Sequence, residues 1–195
     1  MPDLSPTIDG IFLKVGSAWS AGDDGQTANS VSTTFTADST FLNVIDLSAF
    51  GAVQIERAAM EFDTSGITEA PESATLKLFG TGTASSAIKI IGVQASFASE
   101  GAIVTGDFDS WNESSPVNYT DILNGSSWNN SGYNEFTLTA AALSAMASLD
   151  KFQIMWLEYD NDYDRSSAGS SVNYKIGACG RSNTDASKRP VLSYT

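Results

Sequence analysis

Short stretches rich in β-branched and aromatic residues recur along the whole chain, and polar turn clusters separate them. These stretches cover residues 11–15, 30–37, 40–47, 53–62, 74–80, 87–93, 134–139, 152–159, 171–178 and 190–195. Apolar residues take alternate positions in many of them, which is the period of a strand with one buried face. Clusters such as "DTSG" and "NDYDRSSAGSS" supply turn residues between them. The pattern predicts an all-β fold, an antiparallel, jelly-roll-like β-sandwich.

One segment departs from this alternation. "TAAALSAMASLD" is rich in alanine and places Leu143, Met146 and Leu149 at helical spacing. Thr139 precedes it and has the hydroxyl of a typical N-cap residue. We therefore predict one short helix near residues 139–149 that plugs one end of the sandwich.

The length and composition favour a single domain. The chain has 195 residues, 42% of them hydrophobic, which is enough for one buried core and too few for two full domains. No linker or repeat interrupts it, so the expected domain spans 1–195, with residues 1–9 as an N-terminal extension. Residues 106–133 form the longest loop-like region, and loops of that length often carry function.

The charge balance limits the partners of the chain. It has 23 acidic and 10 basic residues and a formal net charge of −13. Such a surface repels phosphate backbones and anionic membranes, so neither nucleic acid nor membrane is an expected partner. No stretch approaches the roughly 18 apolar residues of a membrane span. A single cysteine and an N-terminus unlike a signal peptide predict folding in a reducing cytoplasm.

Missing residue types exclude most enzyme mechanisms. The chain has no histidine, so it lacks Ser-His-Asp triads, Cys-His dyads and nearly all transition-metal sites. No glycine-rich phosphate-binding motif is present either. We therefore expect a protein that is not an enzyme and needs no cofactor, apart from a Ca²⁺ ion considered below.

The strand "QIERAAMEF" combines core and charged residues. If Met60 and Phe62 point inward, alternation places Arg57 and Glu61 on the opposite face, toward solvent or a shallow groove. "DTSG" then turns the chain, and "ATLKLFG" re-enters the sheet. The segment thus predicts two strands around a turn, with Arg57 as a candidate ligand-binding residue.

The same segment resembles a known domain family. "IERAAMEFDTSGITEAPESATLKLFG" is similar to the signature of DNRLRE-type, carbohydrate-binding-module-like β-sandwich domains, R-x-x-x-x-F-D-T/L-S-x-I-P-x-x-A-x-I-x-S-A-x-L-x-L. The matching positions are Arg57, Phe62, Asp63, Thr64, Ser65, Ile67, Ala70, Ser73, Ala74, Leu76 and Leu78, with the segment from Ile67 to Ser73 two residues shorter than in the signature. Thr68 replaces the usual proline, and Ala58 stands where glycine is frequent.

Two further stretches resemble the phage-encoded branch of that family. "GDFDSW" followed by "SGYNEFTLTAAALSAM", and the terminal "SKRPVLSYT", extend the similarity over most of residues 10–195. The resemblance implies the β-sandwich fold strongly. It implies function only weakly, because the motif is mainly structural.

"EYDNDYD" is a candidate metal site. It places Glu158, Asp160, Asp162 and Asp164 at the alternating oxygen spacing found in the first half of a calcium loop. The glycine at the sixth position and the glutamate at the twelfth are missing. A Ca²⁺ site and a polar turn both remain open.

"GDFDSW" offers two nearby carboxylates, Asp107 and Asp109. A glycosidase needs two carboxylates roughly 5–10 Å apart across a sugar bond. An Asx-rich turn explains the same residues, and it is the reading that we prefer.

Aromatic residues near predicted loops are candidate contact residues. They are Trp19, Trp111, Tyr119, Trp128, Tyr133, Tyr159 and Tyr163. Exposed rings stack on sugars or anchor protein interfaces, and the same rings could equally cap the ends of the sandwich. Trp111 and Trp128 fall in the polar 106–133 region and are the best candidates, with Tyr119 and Tyr133 beside them. Trp156 and the single thiol, Cys179, are expected to be buried.

Together these observations predict a bacteriophage virion structural protein without enzymatic activity, in particular a capsid decoration protein. Its expected partners are other virion proteins of the capsid or a fibre, or further copies of itself by strand addition. Its expected location is the virion, assembled in the host cytoplasm. The alternative is a carbohydrate-binding or receptor-binding module that binds a surface glycan, on a fibre tip or in a secreted protein.

Overall fold

The structure is a computed structural model that describes residues 2–16, 28–32, 40–47, 52–82, 84–98, 101–164 and 173–195. Trp19, residues 33–37 of one expected strand and residues 171–172 of another lie outside these ranges.

The described residues form twelve strands and one α-helix. The strands are β1 (Asp3–Leu4), β2 (Ile8–Gly16), β3 (Ser30–Ser32), β4 (Thr40–Leu47), β5 (Ala52–Asp63), β6 (Ala74–Thr81), β7 (Lys89–Gln94), β8 (Leu123–Asn124), β9 (Tyr133–Thr137), β10 (Lys151–Glu158), β11 (Asn173–Ala178) and β12 (Val191–Tyr194), and the helix is α1 (Ala140–Ser148). Short 3-10 helices cover Thr105–Asp109, Gly125–Ser127 and Ala186–Lys188, and a π-helical turn covers Tyr159–Tyr163.

The strands form two antiparallel sheets, which confirms the predicted all-β sandwich. The first sheet has the order β1-β12-β6-β9. In the second, β5 pairs with β2, β4 and β10; β3 extends the sheet beyond β2, and β7 and β8 extend it beyond β10. Strand β11 pairs with β4 of the second sheet and β6 of the first, so it joins the two sheets.

Strand β5 of the second sheet is buried on both faces. On β5, Met60 and Phe62 point into the core between the sheets, together with Leu76 of the first sheet. On the opposite face, Ile55 and Ala59 belong to a second core, which also contains residues of the 97–111 segment. A strand buried on both faces has no side on which to leave a charge in water.

This second core corrects one expectation. Arg57 and Glu61 do lie on the face opposite Met60, as alternation predicted, but neither side chain is turned into solvent: the Phe108 ring covers Arg57, and Glu61 lines a pocket. Arg57 is 1% exposed and Glu61 is 3% exposed. Chain segments outside the sheet cover this face and bury both charges.

Helix α1 confirms the predicted helix at 139–149. The Thr139 hydroxyl caps it by accepting a hydrogen bond from the Ala142 amide at 3.3 Å. Ala142 and Met146 are fully buried in the core between the sheets, and Leu143 packs against it. The described part of the chain contains no helix long and apolar enough to cross a membrane.

Residues at both ends of the segment 3–9 pair with strands of the sandwich. Asp3 pairs with Ser193 in β12, and Ile8 pairs with Glu61 in β5. The segment expected as an extension therefore contributes one short edge strand and the start of β2.

Gly80 shows how closely the chain packs at the end of β6. A methyl group at Gly80 would overlap the carbonyl oxygen of Asn129 and the indole nitrogen of Trp128. Because a backbone carbonyl cannot move aside cheaply, we expect Gly80→Ala to lower the free energy of unfolding by about 1–3 kcal/mol in urea denaturation. Gly66→Ala is the matched control, because a methyl group there meets nothing within 4 Å. Equal midpoints for the two variants would contradict this packing.

Candidate functional site

Three features that the sequence presents separately meet on the outer face of the second sheet. Arg57 comes from β5, Phe108, Asp109 and Trp111 come from the 3-10 helix and the residues after it, and Asp162 comes from the π-helical turn after β10. We call these five residues the Arg57 cluster. It is the candidate site that the geometry defines best.

The guanidinium group of Arg57 is the centre of the cluster. Its Nε donates to both oxygens of Asp162, at 2.9 and 3.2 Å, and Nη2 donates to Oδ1 of the same residue at 2.7 Å. Nη1 donates to the Phe108 carbonyl at 2.6 Å and lies 3.5 Å from Oδ1 of Asp109. Such a two-pronged arginine–carboxylate pair is both directional and strong.

Aromatic rings enclose this ion pair. The Phe108 ring centroid lies 4.0 Å from the guanidinium carbon, and that of Trp111 lies 5.7 Å from it. Trp111 stacks on Tyr163 at 5.8 Å, and Tyr163 stacks on Tyr159 at 5.2 Å. The rings keep water from the charges, which strengthens the pairing and raises the cost of breaking it.

Asp107 fixes the segment that carries Phe108 and Asp109. It is 1% exposed, and its two oxygens accept hydrogen bonds from the amides of Ala98 at 2.8 Å and Val104 at 3.0 Å. Asp107 thus holds the backbone of the 3-10 helix. Both oxygens of Asp107 are therefore engaged by main-chain amides, while Asp109 is turned toward Arg57.

Glu158 fixes the π-helical turn in the same way. Its carboxylate, which is fully buried, accepts hydrogen bonds from the amides of Asp160 at 3.3 Å and Asn161 at 2.7 Å, and from the Asn161 side chain at 2.8 Å. Burial raises the pKa of Glu158, while the hydrogen bonds from Asn161 and Asp160 act in the opposite direction. π-helical turns often occur at functional positions, and this one brings Asp162 to Arg57.

The structure does not assemble the calcium site considered from the sequence. Glu158 caps the turn, Asp160 pairs with Lys89 at 2.9 Å, Asp162 pairs with Arg57, and Asp164 is exposed where the turn ends. Within the described ranges, no three acidic, cysteine or histidine side chains are placed to hold a metal ion. The alternating spacing fails because a π-helical turn sends successive carboxylates in different directions.

The prediction that aromatic residues near loops form an exposed surface is wrong for three of them. Trp111, Trp128 and Tyr119 are 5%, 6% and 0% exposed. Tyr119 stacks on Phe152 at 4.8 Å, and burial raises the pKa of its hydroxyl to about 12. These rings lie in loops that fold back over the cores, so they do not offer a face to a sugar.

Tyr133 is partly exposed, as are Tyr159 and Tyr163. The Tyr133 hydroxyl lies 2.7 Å from the Ser187 carbonyl and 3.0 Å from the Arg189 carbonyl. It therefore ties β9 to the segment before β12. Trp156 and Cys179 are fully buried, as predicted.

Two carboxylates outside the Arg57 cluster, Asp9 and Glu56, have raised pKa values. Asp9 on β2 is fully buried; its Oδ2 accepts the Arg181 amide at 2.5 Å, and Arg181 Nε lies 3.5 Å from its Oδ1. Burial raises the pKa of Asp9 to about 6 and that of the partly buried Glu56 to about 7. Both groups therefore resist ionisation in the folded protein.

A pocket of about 420 Å³ opens where β5 ends and β10 begins. Its lining includes Glu61, Asp63, Asp150 and Lys151. Glu61 accepts hydrogen bonds from the Thr7 hydroxyl at 3.1 Å and, through its other oxygen, from the side chain of Gln153 at 2.7 Å. The carboxylate at its base is thus already satisfied by the protein.

The chemistry of the Arg57 cluster is that of a clamp. Arg57 uses donors on all three nitrogens to hold two loops on one strand, and the carboxylates beside it are engaged in the same contacts. Sequence reasoning found Arg57, Trp111 and Asp162, but missed Phe108 as an acceptor and Lys89 as a partner of Asp160.

No protein-family model matches the chain, and no curated protein matches it.

Proposed function

We propose that this chain is a bacteriophage virion structural protein without enzymatic activity, and that it docks on the capsid surface as a decoration protein. The observation that carries the proposal is the Arg57 cluster. The charged and aromatic residues that the sequence offered as binding residues serve there to hold loops on the sheet. A particle component needs such a fixed scaffold with a docking patch on a soluble surface.

The remaining support comes from the sequence. The resemblance to phage-encoded β-sandwich domains favours a virion role, and the net charge of −13 favours docking on a basic partner over contact with nucleic acid. The alternative, a glycan-binding module, depended chiefly on exposed rings. Burial of Trp111, Trp128 and Tyr119 takes away the best candidates for such rings, so the decoration role is the one proposed.

Quantitative mass spectrometry of purified particles from a phage that encodes this chain tests this function. We expect the chain to be present in many copies per particle, in constant ratio to the major shell protein. Washing in high salt should release part of it, because an acidic protein on a basic site is held partly by charge. Absence from particles that are otherwise complete would overturn the proposal. A control protein of the host cytoplasm should be absent from the same preparation.

A further inference from the structure

A slot separates β8 from β9 at one side of the sandwich. Its volume is about 180 Å³, and it is lined by Asp121, Ile122, Leu123, Glu135, Phe136 and Thr137. We refer to this feature as the β8–β9 slot.

The slot exists because two neighbouring chain segments separate toward different sheets. Thr120 and Leu138 form an antiparallel bridge, and the Thr139 amide donates to the Tyr119 carbonyl at 3.0 Å. Beyond that bridge, β8 pairs with β7 in the second sheet, whereas β9 pairs with β6 in the first. The two segments continue side by side without pairing with each other.

Strand β9 directs main-chain groups into the slot. The Leu138 amide donates to the Ala74 carbonyl at 3.0 Å, and the Gly132 carbonyl accepts from the Gly80 amide at 2.9 Å. The main-chain N–H and C=O groups of even-numbered residues in β9 therefore point toward β6. Hydrogen-bonded and outward-facing residues alternate along an antiparallel strand. The amides of Glu135 and Thr137 and the carbonyl of Glu135 therefore face away from β6, toward the slot.

Strand β8 does the same from the other wall. The Gly125 amide donates to the Ile88 carbonyl at 2.7 Å, and Leu123 pairs with Ile90. The main-chain groups of these odd-numbered residues therefore point toward β7. The main-chain groups of Ile122 and Asn124 consequently point away from β7. Two strand edges thus offer hydrogen-bonding groups on either side of one opening.

The side chains around the slot are apolar inside and acidic at the rim. Phe136 is 4% exposed and Ile122 is 40% exposed. Asp121 and Glu135 supply carboxylates; Glu135 also contacts Lys77 at 3.2 Å, but its side chain is 62% exposed, so water screens that pair. The rim therefore attracts positive charge.

These features select the kind of occupant. Small-molecule pockets span about 300–1,000 Å³, and this slot is smaller. An extended stretch of polypeptide does not have to enter it whole, because it can pair with a strand edge along the opening through its main chain and place a single side chain inward. A second copy of the chain would bring a net charge of −13 against an acidic rim.

We propose that the β8–β9 slot binds an extended, basic segment of another protein by strand addition. This inference rests on the proposed function, because that segment would belong to the shell protein on which the chain docks.

An NMR titration of the isotope-labelled full chain with an acetylated, amidated Lys-Val-Lys-Val-Lys peptide tests the slot. We expect the amide signals of residues 121–124 and 134–137 to shift in a saturable way. The same peptide with methylated backbone nitrogens keeps its charge but cannot pair as a strand, so it should leave these signals unmoved. The double variant Asp121→Lys/Glu135→Lys should weaken binding at least about tenfold, or 1.4 kcal/mol.

The matched control is Glu69→Lys/Glu72→Lys, which makes the same charge change on exposed residues away from the slot and should bind nearly as the unmodified chain does. No shift in the slot, or shifts that survive backbone methylation, would overturn the inference. Shifts that depend on protein concentration without peptide would also overturn it, since they would identify a second copy as the occupant. The particle analysis is independent: a chain present on particles but unable to bind the peptide refutes the slot alone, and a chain that binds but is absent from particles refutes the proposed function alone.

Discussion

Replacing Arg57 with methionine is expected to lower the free energy of unfolding by about 3–5 kcal/mol, because it leaves the Asp162 carboxylate buried without its partner. Asp162 is 3% exposed and receives three hydrogen-bond contacts from Arg57. For a domain of this size the loss corresponds to a fall of roughly 6–20 °C in melting temperature. Urea denaturation followed by tryptophan fluorescence measures it.

Two further variants separate the ion pair from packing. Arg57→Met with Asp162→Leu removes both charges, so it should recover much of the loss, since replacing a whole buried ion pair with apolar residues is often nearly neutral. Lys77→Met breaks an exposed pair, Lys77–Glu135, and should cost at most about 1 kcal/mol. If Arg57→Met behaves like Lys77→Met, or if the double variant is no more stable than Arg57→Met, the clamp account is wrong.

The second large effect is a gain in stability on mild acidification. Burial raises the pKa of Asp9 to about 6 and that of Glu56 to about 7, and it also raises the pKa of Glu158. Between the ordinary values near 4 and these raised values, the folded state holds more protons than the unfolded state. The free energy of unfolding therefore falls as pH rises through this window.

Replacing Asp9 tests whether carboxylates with raised pKa values cause this pH dependence of stability. Since one pKa unit is worth about 1.4 kcal/mol, ionised Asp9 costs the folded state about 3 kcal/mol above pH 6. We expect the melting temperature to be higher near pH 5 than at pH 8. Asp9→Asn should flatten this dependence mainly by raising stability at pH 8, because a neutral amide can still accept the Arg181 amide.

The control for this series is Glu69→Gln, an exposed site whose variant should keep the slope of the unmodified chain. Asp63 and Asp185 are exposed groups whose pKa values are lowered by hydrogen bonds from serine side chains. Their contribution is lost only as pH falls below about 4, so it does not oppose the gain near pH 5. A melting temperature that rises from pH 5 to pH 8 would contradict the assignment of Asp9 and Glu56 as groups that resist ionisation in the folded protein.

Local patterns account for the parts of the fold that the sequence predicted. Alternation and turn clusters located the long strands, and Thr139 with the alanine-rich run located α1, because these signals lie within a few residues of the element they specify. The two-residue strands β1 and β8 carry too little pattern to be recognised. They form because neighbouring segments offer a free strand edge.

The candidate site could be predicted only in pieces. Arg57 and Asp162 are 105 positions apart, and no local pattern shows that they meet. The acidic spacing therefore suggested a metal site, and Trp111 in a polar loop suggested an exposed ring. One signal was available: Ile55 and Ala59 share the Arg57 face of β5, and apolar residues on both faces indicate a strand covered from both sides.

The central proposal is that the chain docks on a phage capsid as a fixed, non-catalytic scaffold. Cryo-electron microscopy of particles from a phage that encodes this chain, compared with particles of the same phage lacking its gene, tests it most directly. The account predicts difference density shaped like one β-sandwich at repeated positions of the shell lattice, with the β8–β9 slot against the shell protein. Density confined to a tail or fibre tip, or no difference between the two kinds of particle, would contradict it.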